Sequence, residues 1–110
     1  MKIQDVPFVV TNWSQITMVE HKGDAGTSHW RSFEQGNIRV RMVEYSPGFY
    51  SDHWCSRGHV LLVLEGELGI QLRDGTEFLM RPGTSFQAED DETNPHLAFS
   101  EKGARVFIVD

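Results

Sequence analysis

Leu68-Gly69-Ile70-Gln71-Leu72-Arg73-Asp74-Gly75-Thr76-Glu77-Phe78-Leu79-Met80 is the stretch whose reading decides the fold. Two short β-rich runs, Leu68 to Leu72 and Glu77 to Met80, flank an Asp-Gly pair. A tight type I′ turn needs positive φ at both central residues, and Asp-Gly meets that need, so the stretch predicts a β-hairpin. Working outward, similar punctuation recurs about every ten residues, as in a sandwich or barrel of short strands. It falls at Gly23 to Gly26, Gln35-Gly36-Asn37, Ser46-Pro47-Gly48, Arg57-Gly58, Glu65-Gly66, Pro82-Gly83, Glu89 to Pro95 and Lys102-Gly103. Between these turns, Ile38 to Tyr45, His59 to Leu64, Ser85 to Ala88, Leu97 to Ser100 and Arg105 to Val109 read as further strands. The one helical candidate, Thr11 to Val19, has a cap at Asn12 or Ser14 but soon turns β-branched. The fold class expected is all-β.

The chain has 110 residues with 39% hydrophobic content, enough for one modest core and no second domain. Residues 38–110 are expected to form the barrel, and residues 1–37 N-terminal strands and connections. The formal net charge is −6, so no positive field attracts a phosphate backbone and nucleic acid is not an expected partner. The apolar run Pro7 to Val10 is too short for a signal-peptide core or a membrane span. A cytoplasmic, membrane-independent protein is expected, and the single Cys, which cannot form an intramolecular disulfide, fits a reducing compartment.

The chemically informative segment is Gly48-Phe49-Tyr50-Ser51-Asp52-His53-Trp54-Cys55-Ser56-Arg57-Gly58-His59, which gathers three metal-binding side chains within seven residues. If the segment is extended, His53 and Cys55 share one face while Asp52 and Trp54 face the other way. His59 opens the next run after the Ser56-Arg57-Gly58 turn, so its side chain can fold back beside His53. Imidazole and thiolate suit borderline metals, and His96, at the start of a distant strand, is the natural further ligand. His53, His59 and His96 are therefore the expected metal ligands. Cys55 stays open between a fourth ligand, a reactive thiol and a small buried hydrophobe. Asp52 is expected to face away, as a partner of a ligand or a surface charge, and His21 and His29 to have surface or packing roles.

This pattern resembles the cupin superfamily, whose first motif places His-x-His after a Gly, then a Glu and a second Gly. Here Gly48 precedes His53 by four intervening residues rather than five, Cys55 stands at the second His, His59 at the Glu, and Gly66 closes the motif. Gly83 and His96 match the second motif more loosely, with Glu89-Asp90-Asp91-Glu92 where a Pro-x-Gly turn is usual. Along nearly the whole chain the sequence is similar to small DHCW-motif cupin-fold proteins, through Asp52-His53-Trp54-Cys55, Gly58-His59, Leu64-Glu65-Gly66-Glu67-Leu68 and Pro95-His96. The resemblance implies a single cupin-type antiparallel β-barrel, a jelly roll, with no assigned reaction. With the carboxylate absent, the ligand set suits Zn, Ni, Cu or Fe by type alone.

Leu61 and Val63 share the strand face of His59, and Phe86, Phe99 and Phe107 are expected to line an apolar cavity with them for a small organic ligand. Arg39 and Arg41 alternate with Ile38, Val40 and Met42. Surface is their default reading, and the alternative is an Arg41 turned into the cavity to meet an anion. Glu65 shares the parity of His59 and has a route to the barrel mouth, and Glu89 to Glu92 reads as a solvated loop. Three functions stay open. One is a metal-dependent isomerase, lyase or dioxygenase, the second a binding or sensing module, and the third a Cys55 thiol paired with His53 or His59. The apolar run Val6 to Val10 and the edge strands of such a barrel lead to the expectation of a homodimer.

Overall fold

The computed structural model describes residues 2–110. Ten strands follow one another: β1 (Val19–Lys22), β2 (Thr27–Gln35), β3 (Ile38–Tyr45), β4 (Phe49–Tyr50), β5 (His59–Gly66), β6 (Leu68–Leu72), β7 (Glu77–Met80), β8 (Ser85–Ala88), β9 (His96–Ser100) and β10 (Ala104–Val109). They form a six-stranded sheet, ordered β1-β2-β3-β10-β5-β8, and a four-stranded sheet, ordered β4-β9-β6-β7, with every pairing antiparallel. The all-β expectation and the strands read from the sequence hold.

Period-2 alternation builds the core. In β10 the odd-even pattern buries Ala104, Val106 and Ile108 while Arg105, Phe107 and Val109 take the other face. Val43 of β3, Leu61 and Val63 of β5, and Leu68 and Ile70 of β6 meet them between the sheets, together with Met80. Burial of each such aliphatic side chain contributes about 1.5–3 kcal/mol, so this cluster holds the two sheets together.

The hairpin β6–β7 is present, but its turn differs from the expected one. Leu72 N–H bonds Thr76 O at 2.8 Å and Gly75 N–H bonds Leu72 O at 3.0 Å, leaving a three-residue loop. Gly75 has φ 95° while Asp74 is not among the positive-φ residues, so one left-handed position suffices where a type I′ turn needs two.

Thr11 to Val19 does not make a helix of useful length. Only a 3₁₀ turn, Trp13–Gln15, forms, with the Asn12 side chain capping Ser14 N–H. Trp13 rests edge-on against Phe107 at 6.4 Å, covering the outer face of β10. Residues 19–35 supply β1 and the nine-residue β2, which pairs along all of β3 and carries Trp30 against the core.

Candidate metal centre

The ligand-type side chains meet where the two sheets open at one end. His59 begins β5 in the larger sheet and shares the inward parity of Leu61 and Val63. His96 begins β9 in the smaller sheet. Cys55 lies on the segment between β4 and β5 and is fixed by an isolated antiparallel bridge to His96. The ligand atoms of Cys55, His59 and His96 all lie within 4.8 Å of one another.

His59 Nε2 and His96 Nε2 stand 3.1 Å apart. Two nitrogens bound about 2.0–2.1 Å from one ion lie about 3 Å apart, so the pair already has the spacing of neighbouring ligands. Burial, reinforced by the nearby His96, pushes the His59 imidazole down to about 4. Burial, with His53 adding to it, also lowers His96. Both rings are thus neutral near pH 7, the form that binds a metal. His59 Nδ1 is buried without a hydrogen-bond partner. A cation at the facing Nε2 positions would use both lone pairs directed there, with the proton of each ring on Nδ1. The donor set fits a transition metal.

His53 stands outside the group of three. Ser51 Oγ accepts from His53 N–H at 3.4 Å and donates to His53 O at 3.1 Å, so residues 51–53 bend instead of continuing as a strand. The bend removes the shared face expected for His53 and Cys55. His53 is exposed, its Nδ1 lies 2.8 Å from Asp52 Oδ1, and this hydrogen bond holds the Asp52 carboxyl below its ordinary value. Asp52 is therefore an exposed carboxylate paired with His53, and not with one of the three clustered side chains. His53 still lines the cavity that contains the other three.

That cavity has a volume of about 330 Å³. Leu61 and Phe86 line it, and so does Arg41, against its default surface reading, whereas Val63, Phe99 and Phe107 do not. Val63 has the right parity but sits deeper, fully buried between the sheets. Phe99 and Phe107 occupy the outward positions of β9 and β10, where Phe99 stacks with Tyr50 and Phe107 meets Trp13. Glu65 points to Arg105 at 2.9 Å, at the other end of β5 from His59. In the acidic stretch, Asp90 accepts from Gly58 N–H and ties the loop to the start of β5, and Asp91 accepts from Thr93 within the loop.

The surface reading of Arg41 is overturned, since the residue is 6% exposed. It stacks on the Trp30 ring at 4.4 Å, a ring that also meets Arg39 at 5.7 Å and His21 at 4.1 Å. Beside it, Asp110 accepts from Arg39 Nε at 3.1 Å and Nη2 at 2.8 Å. Burial raises the Asp110 carboxyl, but the Arg39 hydrogen bonds and the charges of Arg41, Arg39 and Arg57 leave it below its ordinary value overall. No spacing in the sequence signals this cluster, because Arg39 and Asp110 meet only through the pairing of β3 with β10. Tyr45, on the same face of β3, is pushed up to about 12 by burial and stays a protonated phenol.

No protein-family model matches the chain, and no curated protein sequence matches it. Solved structures do. An RmlC-like cupin from Shewanella frigidimarina is 15% identical with a TM-score of 0.72, over 96% of this chain and 92% of that one. A sugar phosphate isomerase of the cupin superfamily from Silicibacter pomeroyi is 18% identical with a TM-score of 0.73, over 92% of this chain and 74% of that one. An Fe(II) HppE with an alternative substrate is 15% identical with a TM-score of 0.74 over 94% of this chain, which spans 60% of that protein's length. The chain is a small cupin-fold protein. Among the described residues no helix is long and apolar enough to cross a membrane.

Proposed function

We propose that this protein is a metal-binding cupin in which Cys55, His59 and His96 hold one divalent transition-metal ion beside a cavity that takes a small organic molecule. The observation that carries this reading is the convergence of one sulfur and two neutral imidazoles within 4.8 Å at the cavity wall. One thiolate and two imidazoles suit Zn, Ni, Cu or Fe(II), and the Fe(II) of a structural neighbour is consistent with that range. Three protein ligands leave a position for water or substrate, where a bound ion supplies Lewis-acid or water-activating chemistry. The chain's own part is to keep both imidazoles neutral, to wall the cavity with Leu61, Ile70 and Phe86, and to hold the Asp52–His53 pair at its edge. An isomerase, lyase or dioxygenase and a non-catalytic binding module both fit this site. Substrate turnover by metal-loaded protein separates them.

The test is elemental analysis of tag-free protein, as purified and after reloading with Zn²⁺, Ni²⁺, Co²⁺ or Fe²⁺. About one ion per chain is expected, lost in His59→Ala and His96→Ala and kept in His53→Ala. Cobalt-loaded protein should show a thiolate charge-transfer band that Cys55→Ser abolishes. Protein that takes up none of the four ions sinks the reading. The homodimer belongs to the same proposal, supported by an apolar arm on which Phe8 is 99% and Val10 83% exposed. Sedimentation velocity of the native protein and of Phe8→Ser tests it, and a monomeric native protein removes it.

A further inference from the structure

The guanidinium of Arg41 is under-partnered for a buried charge. Its side chain is 7% exposed, and its acceptor, Asp110 Oδ2, lies at 3.5 Å. Arg39 already takes both oxygens of that carboxylate at shorter range, and Arg57 Nε approaches it at 3.5 Å as well. Arg41 Nε is buried with no partner at all. Three guanidinium groups thus share one carboxylate, whereas buried charges are ordinarily paired and hydrogen-bonded. The positive excess faces the cavity that Arg39 and Arg41 both line.

The guanidinium is also pre-oriented. It stacks on Trp30, whose indole N–H is anchored on Ser28 Oγ at 2.9 Å, so the plate beneath it is fixed. Strand register places it relative to the candidate metal centre. Arg41 pairs with Ile108, which pairs with Leu61, and these three form one row across β3, β10 and β5. One pleat nearer the opening, Arg39 pairs with Asp110, which comes level with His59. Arg41 is therefore one step deeper than His59 in the same cavity, with Leu61, Ile70 and Phe86 as apolar wall and the protonated Tyr45 phenol on its own strand face.

We infer that the cavity receives a small organic carboxylate, its anionic end on Arg41 and its apolar body against Leu61, Ile70 and Phe86. A planar guanidinium with donors to spare matches a carboxylate, and the surrounding wall is too apolar to favour a fully hydrated anion. The inference rests on the proposed function only in taking the cavity as a small-molecule site, since Arg41 is independent of the metal ligands.

Benzoate, its neutral counterpart benzamide and inorganic phosphate are the probes, titrated by calorimetry into native protein in metal-free and Zn²⁺-loaded forms. Benzoate is expected to bind both forms and to outcompete benzamide, with a loss of at least about tenfold in Arg41→Met. Binding to the metal-free form, or to a protein that takes up no metal, upholds this inference even if the metal reading fails. Binding that requires Zn²⁺ and ignores Arg41→Met assigns the carboxylate to the ion and overturns it. Equal affinity for benzoate and benzamide, or tighter Arg41-dependent binding of phosphate, also overturns it. If Arg41→Met does not fold, the native protein decides by NMR: benzoate should move the Arg41 Nε–H and Trp30 Nε1–H resonances, and unmoved resonances at saturation overturn the inference.

Discussion

Cys55 and His96 are joined through their backbones: Cys55 N–H donates to His96 O at 2.7 Å, and His96 N–H donates to Cys55 O at 2.9 Å. In an antiparallel pair, residues directly opposite each other send their side chains to the same face. A segment that is otherwise irregular is thereby made to present its sulfur beside the His96 imidazole. The sheet supplies His59 by strand parity, and this one bridge supplies Cys55.

Cys55→Ser keeps both backbone bonds and removes only the sulfur. It should melt within a few degrees of the native protein yet lose metal affinity. Cys55→Pro removes the N–H and with it one bond of the bridge, at a cost of about 1 kcal/mol or more, and should loosen His96 as well. Thermal melts and metal titrations on the two variants check the contrast. A Cys55→Ser protein as unstable as Cys55→Pro would mean that the side chain, not the bridge, holds the segment.

The pH dependence of metal-free protein follows from His59 and His96. Both have native values below the ordinary His value, so the unfolded chain binds protons in a range where the native state does not. Their contribution to stability is complete above about pH 6.5, falls as the pH drops toward 4, and changes little below the native value. The His59 share is about 2 kcal/mol once solvent screening at this half-buried ring is allowed for. Urea unfolding of His59→Gln and native protein between pH 7 and 4 should show the gap in pH slope. Parallel slopes would remove His59 as the cause.

Legibility in the sequence tracked locality. Strands whose apolar residues alternate between clear turns, such as Ile38–Tyr45 and Leu68–Leu72, were readable to the residue because side-chain period and turn chemistry are local properties. β2 was not, since Thr27–Gln35 mixes Ser, His, Arg and Glu and becomes a strand by pairing with β3. At the site, His59 and His96 were legible as strand-opening histidines, and Cys55 was seen with its role open. The placement of His53 required knowing that Ser51 bends the chain. Arg39–Asp110 lies 71 residues apart along the chain, and only the register of β10 against β3 reveals it.

Gly58 sets the approach of His59 to the neighbouring strand. A Cβ there would lie 2.4 Å from Ala88 O and 2.5 Å from Glu89 C, backbone atoms that cannot swing aside. Gly58 N–H also donates to Asp90 Oδ1. Gly58→Ala should cost about 2 kcal/mol through this overpacking and push the start of β5 away from β8, taking His59 with it. The expected result is lower melting temperature together with lost metal, whereas Gly75→Ala, which is strained by its φ of 95° and meets nothing within 4 Å, should lower the melting temperature but leave metal uptake intact. Metal loss confined to neither variant would detach Gly58 from the site.

Asp110 is the counter-charge for the wall, with its side chain 1% exposed and two hydrogen bonds from Arg39. Asp110→Asn leaves Arg39 and Arg41 without a carboxylate, and removal of one partner from a buried pair costs about 3–5 kcal/mol; with Arg39 partly exposed, about 3 kcal/mol is expected. Because the native carboxyl lies below its ordinary value, its stabilisation is present above about pH 4 and is lost as the pH falls through the native value. The native protein and Asp110→Asn should therefore converge in stability toward pH 2 and diverge at pH 7. The same variant strips Arg39 and Arg41 of the carboxylate they share, so an added carboxylate should stabilise Asp110→Asn more than the native protein. Differential melting with and without benzoate reads this directly, and an equal or smaller shift in the variant would show that Asp110, not an incoming anion, is all that the arginines require.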